Sequence, residues 1–290
     1  MGTSNLYKGP SGNSLLPDGY EASTDDTPKS DAGNDDEEES SNGGKPQDEQ
    51  GQEDQNDEDQ QSQSSSVSTL AGNYWTGAKQ NFHKASRSTS TSPKSVAKSY
   101  VKALGGARAA SRQARAAKSI SHSIAYYFYG SLSEFKKKLE AAGIQFRDRS
   151  TSEVLEEIYQ KIVPPADILD NSIAERALAK TFSELFSNDQ YKDKDIDAIN
   201  HISLLLFLIE RFSANFIFER MIDQISHITL SKERISAYVK IEEEMKLYID
   251  GIAHQVVPNI VHDGMNDKEL KANINGIFDE CYQLMEEVVQ

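Results

Sequence analysis

Residues 195–225 read DIDAINHISLLLFLIERFSANFIFERMIDQI, the longest apolar-periodic stretch in the chain. Ile196, Ile199, Ile202, Leu206, Ile209, Phe212, Phe216, Ile217 and Ile222 recur at helical spacing over a broad face. A helix apolar over so much of its circumference is covered by neighbours on several sides, so this segment predicts a central buried helix. Its most apolar part, Ile202 to Ile209, is followed at once by Glu210 and Arg211 and is far shorter than the roughly 18–20 residues that span a bilayer. A core helix is therefore the expectation, and a membrane span is not.

The flanks supply helices to pack around it. Downstream, a segment from Ser231 to Val257 is expected to close at Pro258, and Asn266 with Glu269 opens a last helix carrying Leu270, Ile274, Ile277, Phe278, Tyr282, Leu284 and Met285. Upstream, Asp170 is placed to cap a helix from Ile173 to Phe186. Ser150 or Ser152 can cap Val154, Leu155, Ile158 and Ile162, and Pro164-Pro165 ends that helix. Ser131 with Glu134 makes a capping-box pattern before Leu132, Phe135 and Leu139, and Gly143 stands where a helix stop belongs. Earlier still, Ser92-Pro93 starts a helix running from Lys94 to about Lys118, which Gly105-Gly106 kinks or divides. No region alternates at period two for long enough to argue for a sheet. The fold class is all-α, an irregular bundle of six or seven helices, with a body of about 160–170 residues, a single-domain size.

Ahead of the helices the composition changes. Between Gly9 and Ser66 the chain is Asp, Glu, Gln, Ser, Gly, Asn and Pro almost without apolar side chains, which predicts a long disordered acidic segment. The net charge of -15 hides a sharp segregation. Residues 1–66 hold 17 acids and three lysines, whereas Val67 to His122 holds ten cations and no acid. The chain divides on these grounds into a short N-terminal motif (1–20), an acidic then Ser-rich linker (21–91), a basic helical segment (92–122) and a helical bundle (123–290). The acidic segment either shields the basic one within the molecule or serves a different partner.

Chemistry-bearing motifs are sparse. There is no GxxxxGK[ST] loop, no HExxH, no cysteine-histidine zinc spacing and no GxSxG elbow. His254, His262 and Asp263 flank Pro258 but more simply occupy helix ends. Cys281, the single cysteine, sits in an amphipathic helix and fits a core role in a reducing compartment. No secretory signal precedes Leu16. The residues thus predict a cytoplasmic, non-enzymatic protein with no catalytic set, metal or cofactor. Lys94, Lys98, Lys102, Arg108, Arg112 and Arg115 are candidate contacts for phosphate or an acidic partner. Leu6, Tyr7, Leu15 and Leu16 are apolar islands of the kind that order on a partner.

Met1-Gly2-Thr3-Ser4, Gly9-Pro10 and Leu15-Leu16-Pro17 resemble the N-terminus of the QatB family of the four-gene Qat antiphage defence system. Ser99-Tyr100-Val101, Gly105-Gly106-Ala107-Arg108 and Ser111-Arg112 look like that family's basic Gly-Gly-Ala-Arg segment, and Ile162-Val163-Pro164-Pro165 through Ala177 like the helical region after it. The resemblance implies an accessory protein acting beside the ATPase QatA, the TatD-like nuclease QatD and the QueC-like enzyme QatC. It further implies an N-terminus, Gly2, Thr3 and Ser4 foremost, that enters QatC and receives a 7-deazaguanine-type group on Gly2. A second reading from a different class is a nucleic-acid-binding regulator that uses residues 94–118, against which stands the absence of a recognition-helix motif.

Overall fold

A computed structural model describes residues 73–87, 91–163, 169–191, 194–225 and 235–287. The acidic segment and the N-terminal motif lie outside these residues. Among the described residues every regular element is helical and no strand occurs. The order is α1 (residues 73–85), α2 (Pro93–Ala103), α3 (Ala107–Arg112), α4 (Arg115–Phe128), α5 (Leu132–Ala141), α6 (Thr151–Ile162) and α7 (Leu169–Ser187). A 3-10 turn (Ile196–Ala198) then leads to α8 (His201–Ile225), α9 (Ile235–Ile260) and α10 (Asp267–Glu286).

Residues 195–225 form the centre. Helix α8 packs against α4, α7 and α9, and its buried positions run nearly all round it, from Leu204 and Leu205 to Phe216, Ile217 and Met221. It starts at His201, later than its apolar pattern suggests, because Ile196 lies in the 3-10 turn and Ile199 is extended; both are still buried. Ile202, Leu206 and Ile222, expected on the buried face, are only half-buried. By length and composition α8 meets the requirements of a membrane-crossing helix, more than the run Ile202–Ile209 suggests. Its side chains are nevertheless spent on neighbours from the same chain. Asn215 Nδ2 donates to Thr181 Oγ1 on α7 at 3.1 Å, and Arg211 Nη1 pairs with Asp250 on α9 at 3.4 Å.

Three starts are set by local chemistry, two where the sequence predicts them and the third at Ser150 rather than Ser152. Ser131 with Glu134, Ser150 with Glu153 and Asn266 with Glu269 each form a complete capping box, and each removes two orphan backbone donors. Gly143 carries φ +74 beyond the end of α5, a conformation that costs a side-chain-bearing residue about 1 kcal/mol or more.

Other expectations change. The helix from Lys94 to Lys118 becomes three: Gly105 and Gly106, at φ +89 and +90, separate α2 from α3, and Ala114 separates α3 from α4. Asp170 lies inside the first turn of α7, which begins at Leu169, so it favours that helix end by charge rather than by the expected capping position. Pro258 does not close α9 but sits within it. Its missing N–H forfeits one bond near the helix end, and Val261 N still reaches Val257 O at 2.8 Å. Residues 73–85, read as linker, are helical and bury Ala78 and Phe82 completely. Trp75, Ala78 and Phe82 fall at helical spacing, so apolar burial outweighs the polar composition around them. With α1 included, the described helices outnumber the six or seven expected, and one apolar core runs from Phe82 to Met285. The border drawn between residues 122 and 123 falls inside α4.

Candidate functional site

The basic segment supplies the surface with the most distinctive chemistry. Helices α2 and α3 pack on α10, and α4 on α8, which buries Val96, Ala97, Tyr100, Val101, Ala110, Ala117 and Ile120. The polar faces of the same helices point outward. Lys102, Arg108, Arg112 and Arg115 are exposed, and Lys94 and Lys98 are half-buried with their stems along the protein. None of these six cations has a hydrogen bond or ion pair to another described residue, whereas Lys118 donates to Ser111 Oγ at 2.8 Å.

Two depressions open beside α3. One, about 760 Å³, is lined by the Gly105-Gly106 turn, Arg108, Arg112, Asp279, Gln283 and Glu286. Helix α3 has no side-chain cap from its own N-terminal neighbour. The carboxylate of Glu286, at the end of α10, accepts from Ala107 N at 2.9 Å instead. Gly106 faces the same carboxylate, and a Cβ there would stand 3.4 Å from Glu286 Oε1, in ordinary van der Waals contact. The Gly-Gly-Ala-Arg segment is thus a left-handed turn, closed by a carboxylate 179 positions away.

The second depression, about 600 Å³, lies between α3, α7 and α8 and is lined by Arg112, Gln113, Arg115, Asp170, Arg220 and Gln224, among others. Arg220 is only 5% exposed. It donates to Gln113 Oε1 at 2.9 Å and, over a longer 3.5 Å, to Ala110 O. No carboxylate stands within ion-pair distance of it among the described residues. Tyr100 OH donates to Gln224 Oε1 at 3.1 Å, and the Tyr282 hydroxyl is buried beside Arg220 without a well-formed hydrogen bond. Burial pushes the Tyr282 phenol up to about 12, against the lowering effect of Arg220.

The other sequence candidates fall as follows. Gly2, Thr3, Ser4, Leu6, Tyr7, Leu15 and Leu16 lie outside the described residues. The structure brings Arg108 and Arg112 to one depression, and Arg112 and Arg115 to the other, while Lys94, Lys98 and Lys102 form a separate row on α2. His254 meets Glu210 at 3.1 Å and His262 meets the Asp263 carbonyl at 3.0 Å, so the two histidines and Asp263 form no common site. Burial pushes the Cys281 thiol up to about 12, which leaves almost no thiolate at neutral pH. Sequence reasoning missed Arg220, Gln113 and Glu286. An arginine inside the apolar run 212–225 was the one available signal, because a charge there must either be paired or face a polar pocket.

Fold and surface define an all-helical protein whose cationic flank is held on a shared apolar core. The family model for Qat anti-phage system associated protein QatB matches residues 105–285, well over half of the chain, and the chain belongs to that family. The match opens on the Gly105-Gly106 turn and closes beside Glu286, so it spans the body that this clasp draws together. No curated protein and no solved structure matches the chain.

Proposed function

We propose that this protein is a non-enzymatic accessory component of a Qat antiphage system, whose body binds QatC and whose N-terminus is QatC's substrate. The family match of residues 105–285 carries the first part of that reading. The resemblance of Met1 to Pro17 to the family's N-terminus supports the second. Once Met1 is removed, the Gly2 α-amine is a nucleophile without a side chain to obstruct a narrow pocket. A free terminal α-amine is partly unprotonated at cellular pH. Its nitrogen displaces the leaving group of an activated deazaguanine-type donor, so that one bond forms as the other breaks and the amine gives up a proton. The cationic flank is the part of the body best suited to an acidic surface of a partner, QatC first and QatA or QatD after it.

The test is intact and N-terminal-peptide mass spectrometry of the protein co-expressed with the neighbouring system genes, beside a Gly2→Pro variant and cells lacking QatC. A QatC-dependent mass increase on Gly2 is expected. An unmodified terminus in cells whose defence works would overturn the substrate role.

A nucleic-acid-binding role is the second reading, favoured by the six cations that are unpaired among the described residues. It requires binding to duplex or single-stranded oligonucleotides that falls steeply with salt and is lost when Arg108, Arg112 and Arg115 are changed to Glu.

A further inference from the structure

We infer that the depression between α3, α7 and α8 is a binding site for a phosphate monoester dianion on a ligand of nucleotide size. The inference goes beyond the accessory role and does not depend on Gly2.

Arg220 is the first observation. Burying a guanidinium is costly unless its charge is compensated, and among the described residues this one has two hydrogen-bond acceptors, neither of them an anion, and the Phe216 ring 6.0 Å away. Asp170 lines the same depression but is not within ion-pair distance. Gln113 and Gln224 fix the floor: Gln113 accepts from Arg220 and donates to Leu104 O at 3.4 Å, and Gln224 is tied to the Tyr100 hydroxyl. A positive group is thus built into the floor and held in one orientation.

The rim is the second. Arg112 and Arg115 line the depression, and neither bonds another described residue. Among the described residues, three guanidiniums against the Asp170 carboxylate leave two positive charges. Arg115 is also the first residue of α4, a 14-residue helix with no side-chain cap and no acid in its first turn. Cations at a helix N-terminus are unfavourable in the free protein, and an anion there relieves both the uncapped donors and the repulsion.

Charge and size then select the ligand. A single carboxylate neutralises one of the two charges, whereas a phosphate monoester is a dianion at neutral pH and accepts the forked donors of arginine. The volume, about 600 Å³, lies within the range of small-molecule pockets. Ala109, Leu169 and Ile173 supply an apolar wall on which the non-phosphate part of the ligand can rest.

Calorimetric titration and thermal melting of the full chain with adenosine 5′-monophosphate, adenosine and inorganic phosphate, at matched ionic strength, test the proposal. The monophosphate is expected to bind saturably and raise the melting temperature, inorganic phosphate to bind more weakly, and adenosine not at all. The Arg112→Gln/Arg115→Gln variant, changed only at exposed positions, should weaken the monophosphate by at least about tenfold while melting no lower than the parent without ligand, since it removes the repulsion at the start of α4. Arg220→Lys, which keeps the charge but loses the fork, should weaken it as well. Inorganic phosphate binding as tightly as the monophosphate would overturn the nucleotide-sized ligand. No binding by either phosphate, undiminished binding in the double variant, or binding by an oligonucleotide alone would overturn the site.

Discussion

Glu286 stands at the last residue of α10, yet its carboxylate closes the first turn of α3. A charged acceptor on a backbone N–H is stronger than a neutral cap, and the arrangement ties the end of the chain to the Gly105-Gly106 turn. Glu286→Ala should therefore lower the stability by about 1 kcal/mol, the usual worth of a helix cap, as read by urea denaturation. Gly106→Ala should cost about 1–2 kcal/mol through its positive φ, and relief of that strain shifts the turn that Glu286 closes. Because both changes damage one contact, the double variant should lose less than the sum of the singles. Strict additivity would show that the clasp contributes nothing.

At the scale of elements, what was legible in the sequence is what is decided within one or two turns. The three capping boxes are reciprocal bonds between residues three apart, so the starts at Ser131 and Asn266 are legible directly and the third narrows to Ser150 or Ser152. Where α8 begins, and whether Pro258 ends α9, depend on tertiary context and are not legible locally. The six surface cations were recognisable by residue type, but Arg220 and Glu286 act across 107 and 179 positions, which no local pattern reports. Helix α1 was missed because its apolar signal covers little more than two turns inside a Ser-rich composition. It is nonetheless integral: Phe82 is fully buried with its ring 5.6 Å from that of Tyr238 on α9, and His83 Nδ1 meets the Tyr238 hydroxyl. Phe82→Ala should cost about 3–5 kcal/mol, the range for truncating a buried phenylalanine, measured by chemical denaturation. A loss below about 1 kcal/mol would mean that α1 does not dock on the body.

For the molecule as a whole, stability is graded from the centre outward. Helix α8 has partners on three helices, whereas α5 and α6 share their principal contacts with α4 alone. The ion pairs along the α7–α8 seam, such as Arg176 with Asp223 at 3.2 Å, involve partly exposed groups. Such pairs are worth about 0–1 kcal/mol each, so the gradient follows apolar burial rather than charge. The amides of His201–Ile225 should then exchange with solvent only through global unfolding, and those of α5 and α6 through smaller local openings. Hydrogen-exchange mass spectrometry at rising urea separates the two, because global openings grow steeply with denaturant and local ones hardly do. Peptides from α8 should exchange last and converge on the global unfolding free energy, with α5 and α6 well ahead. Should α8 exchange as early as α5, it would not be the centre of the fold. Its apolar circumference would then need another explanation than burial within this chain.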